Sequence, residues 1–115
     1  MHSSPIHFNL IGTCTEVPVR IEKPLYDFEI CLLNHVYREK LVFYNNGEIP
    51  MSFKIVQPNE TKKYFEFNPI IGYIQKQSRI DVWVKFTAEK DLGIYLNKYL
   101  TENNVYEIPF QMSVK

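Results

Sequence analysis

The stretch SRIDVWVKF, residues 78–86, has the clearest structural signal in this sequence. Its apolar residues alternate with polar or aromatic ones: Ile80, Val82, Val84 and Phe86 against Arg79, Asp81, Trp83 and Lys85. Successive side chains of a β-strand point to opposite faces, so a period of two predicts a strand with the first set in the core. The outer face of that strand then carries Trp83, the only tryptophan of the chain.

The same period of two recurs along most of the chain. Further strands are predicted at VPVRIEKP (17–24), DFEICLL (27–33), REKLVFYNN (38–46), PMSFKIV (50–56), KYFEFNP (63–69) and VYEIPFQMSVK (105–115). The inward residues of the last strand are predicted to be Tyr106, Ile108, Phe110, Met112 and Val114. Turn signals separate these segments every ~8–12 residues, which predicts an all-β, immunoglobulin-like antiparallel β-sandwich of seven to nine strands.

Three local features refine this prediction. The pair Asn46-Gly47 is suited to a turn with positive φ. Pro109 lacks a backbone N–H, which indicates an edge position in the final strand. The segment AEKDLGIYLNKYL (88–100) is ambiguous. Leu92, Leu96 and Leu100 have helical spacing, but Gly93 lies inside it, and Ile94 with Leu96 also fits a strand. Because both of its neighbours are predicted strands, we predict a strand there.

Composition bounds the function classes. The 115 residues suit one domain spanning 1–115, with a core of its own. Lys plus Arg and Asp plus Glu are both 13, so the net charge is zero, which argues against nucleic acid as a partner. No apolar run approaches the roughly 20 residues of a membrane span, and MHSSPIHF lacks the features of a signal peptide. With that start, Cys14 and Cys31 are expected to be reduced thiols in a cytoplasmic protein without direct membrane insertion.

Residues for catalysis do not cluster in the sequence. His2, His7 and His35 are scattered without a second metal ligand at helical or strand spacing. Asp27 and Glu29 share a strand face and are interpreted as solvated rather than as an acid–base pair. The four glycines are too dispersed for a phosphate-binding loop. We therefore predict no enzyme, no catalytic residue, no cofactor and no metal site.

The outer face of the predicted central strands is the strongest candidate site. Its outward residues are predicted to be Val42, Tyr44, Tyr64 and Trp83, bordered by Lys40, Glu66, Arg79, Asp81 and Lys85. Exposed aromatic residues with a charged rim are typical of protein contact surfaces. The candidate partner-binding residues are Trp83, Tyr44, Tyr64, Val42, Lys85 and Arg79. The isolated domain is expected to be a monomer.

Two segments resemble a known family. LYDFEICLLNHVYREKLVFYNNGEIPMSFKI (25–55) and FEFNPIIGYIQKQSRIDVWVKF (65–86) are similar to the ASH (Hydin-type) domain, a member of the major sperm protein and PapD-like immunoglobulin superfamily. The resemblance lies in the order of turns and alternating strands. Glu29 departs from the pattern, because the family often has glycine at this position after the aromatic residue.

The resemblance implies a non-enzymatic binding module of a ciliary, flagellar or centrosomal protein, often one of a tandem array. It implies protein partners, namely adjacent repeats, ciliary or centrosomal proteins, or microtubule-associated proteins. The expected location is the axoneme of a cilium or flagellum, or the centrosome or basal body. Since IHFNL (6–10) and IPFQM (108–112) alternate alike, residues 1–16 are interpreted as the closing strand of a preceding repeat. The alternative is that 6–11 form the first strand of this domain.

Two other functions fit the same superfamily. One is a peptide-binding domain of the major sperm protein type, which recruits partners at membrane contacts. Lys54 matches a lysine that such relatives use, but Val56 stands where a second lysine is expected. The other is a PapD-like chaperone that donates a strand to a client, which the absence of a signal peptide disfavours.

Overall fold

The computed structural model describes residues 6–15 and 18–114, apart from the side chain of Ile30. It does not describe residues 1–5, 16, 17 and 115. His2, one of the histidines considered above as a metal ligand, is therefore outside the described residues. The strands are β1 (Ile6–Cys14), β2 (Val19–Ile21), β3 (Leu25–Cys31), β4 (Val36–Asn45), β5 (Met51–Val56), β6 (Phe65–Asn68), β7 (Ile71–Ile74), β8 (Ser78–Thr87) and β9 (Val105–Val114). They form a five-stranded sheet, β3-β1-β9-β5-β7, and a four-stranded sheet, β2-β4-β8-β6. The predicted all-β immunoglobulin-like sandwich is confirmed.

The core lies between the two sheets and is built from the predicted inward positions. Val82, Val84 and Phe86 of β8 are fully buried, Ile80 is partly buried, and the five predicted residues of β9 are at most 8% exposed. Aromatic rings fill one end of the core, where Phe86 stacks on Phe65 with ring centroids 4.5 Å apart and Phe8 contacts Phe86 at 4.4 Å. Burial of such rings dominates the stability of a domain of this size.

The turn between β4 and β5 differs from the prediction. Within the described part of the chain, positive φ occurs at Glu29, Asn34, Gln77 and Asn104 and at no glycine. Gly47 is needed for space instead, because a Cβ on it would lie 2.5 Å from Cγ of Pro18. The buried side chain of Asn45 organises the turn: its Nδ2 donates to the carbonyls of Ile49 and Ile74, and its Oδ1 accepts from the N–H of Gly47.

The strand prediction for residues 88–100 is wrong. The segment forms a short helix, α1 (Leu92–Tyr95), followed by a 3-10 turn at Asn97–Tyr99. Leu92 and Leu96 are both buried in the core. Their separation of four residues places both on one side of a helical turn, and this packing outweighs the alternation of Ile94 and Leu96.

Strand β9 lies in the middle of its sheet, so the edge prediction from Pro109 is wrong for the strand as a whole. Residues 105–112 pair with β1, but β5 pairs only with residues 111–114. Pro109 therefore has a strand neighbour on one side only. Because no strand pairs with Pro109 on the other side, its missing N–H leaves no hydrogen bond between strands unmade there.

Strand β1 lies between β3 and β9, and its Phe8 and Leu10 are fully buried. It runs antiparallel to β3 and parallel to β9, with residues 7–14 facing residues 105–112. Because the first and last strands run in the same direction, β1 begins and β9 ends at opposite ends of the sandwich. The origin of residues 1–16 from a preceding repeat stays a prediction.

No helix in residues 6–15 and 18–114 combines the length and the apolar character needed to cross a lipid bilayer. Cys31 is buried and Cys14 is partly buried, and both are free thiols. Burial raises the pKa of each thiol to about 11, so both are protonated at neutral pH.

Candidate protein-interaction surface

The outer surface of the four-stranded sheet, here called the Trp83 face, is set by strand register. Across β4 and β8, Arg38 lies opposite Lys85, Lys40 opposite Trp83, Val42 opposite Asp81, and Tyr44 opposite Arg79. Strand β6 places Glu66 beside Lys85 and Asn68 beside Trp83, and β2 places Arg20 beside Tyr44. These residues form one continuous surface because side chains two apart on a strand share a face.

Trp83 is the largest exposed side chain at the centre of this face. It is 53% exposed, whereas its neighbours Val82 and Val84 are buried. A depression of about 280 Å³ lies beside it and is lined by Arg38, Glu66, Asn68, Trp83, Val84 and Lys85. The predicted outward orientation of Trp83 is confirmed.

Tyr44 is held in place at one end of the face. Its hydroxyl donates to Oε2 of Glu22 at 2.9 Å, and the guanidinium of Arg20 lies 4.4 Å from the centre of its ring. The ring is partly buried as a result. Tyr44 therefore offers a fixed ring edge rather than a mobile side chain.

The predicted exposure of Val42 is wrong, although its orientation is as expected. Val42 points to the outer face but is only 4% exposed. Its neighbours on that face by register are Lys40, Tyr44, Asp81 and the diagonal Arg79 and Trp83. Diagonal neighbours in a sheet are within reach of long side chains, so a short valine among them is covered.

The predicted exposure of Tyr64 is also wrong. It is 2% exposed because it precedes β6, in a turn, so the alternation of the strand does not extend to it. Its hydroxyl donates to Oδ1 of Asp91 at 2.8 Å, and Lys63 pairs with the same carboxylate. Burial, and then the bond to Asp91, raises the pKa of the Tyr64 hydroxyl. Tyr64 thus anchors the segment before α1 and does not belong to the Trp83 face.

The Trp83 face carries more positive than negative charge. Its exposed cations are Arg20, Arg38, Lys40, Arg79 and Lys85, against the carboxylates of Glu22, Glu66 and the half-buried Asp81. Lys85 lies 3.9 Å from Oε2 of Glu66, and none of the other four cations takes part in an ion pair within residues 6–15 and 18–114. One carboxylate oxygen of Asp81 is buried and accepts no hydrogen bond from the same residues.

Four members of this face were not predicted from the sequence: Arg20, Glu22, Arg38 and Asn68. Arg38 could have been found, because it lies two residues before Lys40 on the same predicted strand. Arg20 depends on the pairing of β2 with β4, and alternation alone does not reveal that pairing.

Comparison with known proteins links the chain to cilia. It is 34% identical to "Cilia- and flagella-associated protein 74" of Chlamydomonas reinhardtii over 108 residues, which cover 91% of this chain and 6% of that protein. It is 30% identical to the protein of the same name of Homo sapiens over 113 residues, covering 95% of this chain and 7% of that protein. The chain thus corresponds to a small part of these cilia- and flagella-associated relatives.

A solved structure of SSP-19, an MSP-domain protein of Caenorhabditis elegans, matches 49% of this chain and 50% of its own with 21% identity and a TM-score of 0.43. Residues 19–115 match the family profile described as the "CFAP74 third Ig-like domain", which is not a known enzyme family. That match covers most of the strands described above. The chain belongs to the family of the third immunoglobulin-like domain of CFAP74.

Proposed function

We propose that this domain is a non-enzymatic interaction module of a cilia- and flagella-associated protein, and that it docks against a neighbouring protein through Trp83, Tyr44, Arg79 and Lys85. The observation that carries the proposal is the half-exposed indole of Trp83, which lies on a regular sheet surface with charges around it. A large ring left in water adds little to the isolated fold. Its burial against a partner would stabilise the complex by roughly 2 kcal/mol or more.

The strand order supports a role in a tandem array. Strands β1 and β9 are parallel neighbours, so the chain enters at one end of the sandwich and leaves at the other. Modules with this arrangement can follow one another end to end and leave the broad sheet faces accessible. We propose that the domain is one repeat of such an array, of the ASH type, and that its partners are adjacent repeats or other ciliary, centrosomal or microtubule-associated proteins.

Retention in cilia tests the docking surface. The full-length protein would carry either Trp83→Ala or Tyr73→Ala, and the fraction that stays with demembranated cilia during a salt extraction would be measured. Tyr73 is a matched control because it is an aromatic residue, 68% exposed, on the opposite sheet. We expect Trp83→Ala to be extracted at lower salt than the unaltered protein. Tyr73→Ala should be extracted at the same salt concentration as the unaltered protein. Equal retention of both variants and the unaltered protein would overturn the proposal.

A further inference from the structure

Arg38 and Lys85 lie directly opposite each other on β4 and β8. Like charges in directly opposed positions of an antiparallel pair are close and destabilise it. Glu66, 3.9 Å from Lys85, offsets part of this repulsion, and Arg38 takes part in no ion pair among the described residues. The two side chains share the wall of the depression beside Trp83. The free domain thus holds two cations at one opening next to an exposed indole.

The excess of cations continues along the face. Arg20 and Arg79 occupy the strands on either side of Tyr44, and Lys40 is opposite Trp83. This local concentration of positive charge occurs in a chain whose net charge is zero. An anionic partner would therefore be attracted to this face in particular and not to the domain as a whole.

We propose that the Trp83 face binds an acidic peptide segment of a partner protein, with one carboxylate between Arg38 and Lys85 and an adjacent apolar part of the segment on the Trp83 ring. The proposal rests on the proposed docking function and names the chemistry of its partner. A carboxylate between the two cations replaces their repulsion by two attractive contacts. Packing on the indole at the same time excludes water from these contacts and strengthens them.

An acidic peptide fits this face better than nucleic acid or an anionic membrane does. Glu22, Glu66 and Asp81 interrupt the cations and would repel a continuous chain of phosphates. The face also exposes one large aromatic ring, whereas single-stranded nucleic acid is bound by several rings in succession. A peptide can place its acidic side chains at separate points and avoid the three carboxylates.

Fluorescence provides a direct test, because Trp83 is the only tryptophan of the chain. The 115-residue chain would be titrated with poly-L-glutamate and the emission of Trp83 followed. The variant Arg38→Gln with Lys85→Gln would be compared with the variant Lys62→Gln with Lys90→Gln. The second pair removes the same charge at two exposed lysines outside the face. We expect saturable binding that weakens with added salt, a loss of affinity of about fivefold or more in the first pair, and a change of less than about twofold in the second.

Equal weakening in the two double variants, or no binding of poly-L-glutamate, would overturn the proposal. So would tighter binding of polyuridylate or of vesicles containing phosphatidylserine. Urea unfolding of each variant confirms that the fold is kept. If the first double variant unfolds, Arg38→Gln alone replaces it, with Lys62→Gln as its control. Failure of this test together with loss of ciliary retention in Trp83→Ala rejects only the acidic partner. Unchanged retention in Trp83→Ala rejects the docking function itself.

Discussion

Asp27 accepts a hydrogen bond from the backbone N–H of Glu29, with 2.6 Å between Oδ1 and N. This contact spans a bulge in β3, where Phe8 pairs with Glu29 and the next residue of β1, Asn9, pairs with Asp27. The bulge holds Glu29 at a φ of 60°, in the left-handed region. The same hydrogen bond lowers the pKa of the Asp27 carboxyl, with the bond to His7 adding to the effect.

Glu29→Gly is expected to stabilise the domain by about 0.5–1 kcal/mol. A residue with a Cβ is strained at this φ, and glycine is not. Glu29→Ala is the matched control, since alanine keeps the strain and should give no gain. Urea unfolding measures both. An unfolding free energy for the glycine variant at or below that of the alanine variant would contradict this explanation of the bulge.

Phe53→Ala and Val84→Ala are expected to destabilise the domain by roughly 3–5 and 1–3 kcal/mol. Both side chains are buried between the sheets, and truncation leaves a cavity there. Val56→Ala, on the exposed side of β5, should change the free energy of unfolding by less than about 0.5 kcal/mol. Equal losses of unfolding free energy in Val56→Ala and Val84→Ala would show that burial does not determine the size of the destabilisation.

Trp83→Ala should change the unfolding free energy of the isolated domain by less than about 1.5 kcal/mol, because half of the ring is already in water. In the unaltered domain, the emission of Trp83 should be that of a solvated indole, and iodide should quench it readily. A blue-shifted emission that iodide does not quench would place the ring in the core and contradict the structure.

Acid should loosen the segment around α1 before it unfolds the sheets. Lys98, and then Tyr99, lowers the pKa of Glu60 from 4.5 to about 2. Lys63, and then Tyr64, lowers the pKa of Asp91. A lowered pKa in the folded state means that the ionised carboxyl stabilises the fold above its ordinary pKa, and that this contribution is lost as the pH falls through the folded value. The window therefore lies between about pH 4.5 and 2 for Glu60.

Amide hydrogen exchange measures this loosening. The N–H of Leu96 bonds to the carbonyl of Leu92 inside the segment, so it should lose protection in that window. The amides of β8 at Val82 and Val84 serve as internal controls and should stay protected. Glu60→Gln should lack most of the pH dependence at Leu96. Simultaneous loss of protection in both regions would show that the segment does not open independently.

Much of the fold follows from alternation alone. The period of two in β8 and β9 assigns each side chain to one of two faces, and burial of one face decides which. The burial of Tyr64 could not be predicted in this way. It depends on a hydrogen bond to Asp91, which is distant in sequence and lies just before α1. The apolar residues around Leu92 and Leu96 fitted both a helix and a strand. The helix forms because it lets both leucines pack into the core between the sheets, which the sequence pattern does not show.

The candidate surface was predictable in part. The exposure of Trp83 follows from the burial of Val82 and Val84 on the same strand. The opposition of Arg38 and Lys85 does not, because it requires the register between β4 and β8. A slip of one residue would move every side chain of a strand to the other face. Alternation therefore identifies the residues of a face, and register decides which of them meet.

The parallel pairing of β1 with β9 has a mechanical consequence. Tension applied through the chain pulls β1 from its start and β9 from its end, in opposite directions along their common axis. The hydrogen bonds between residues 7–14 and 105–112 then lie across the force and are loaded in shear, so they must break together and not one after another. A domain joined in this way resists extension most strongly along the line of the chain.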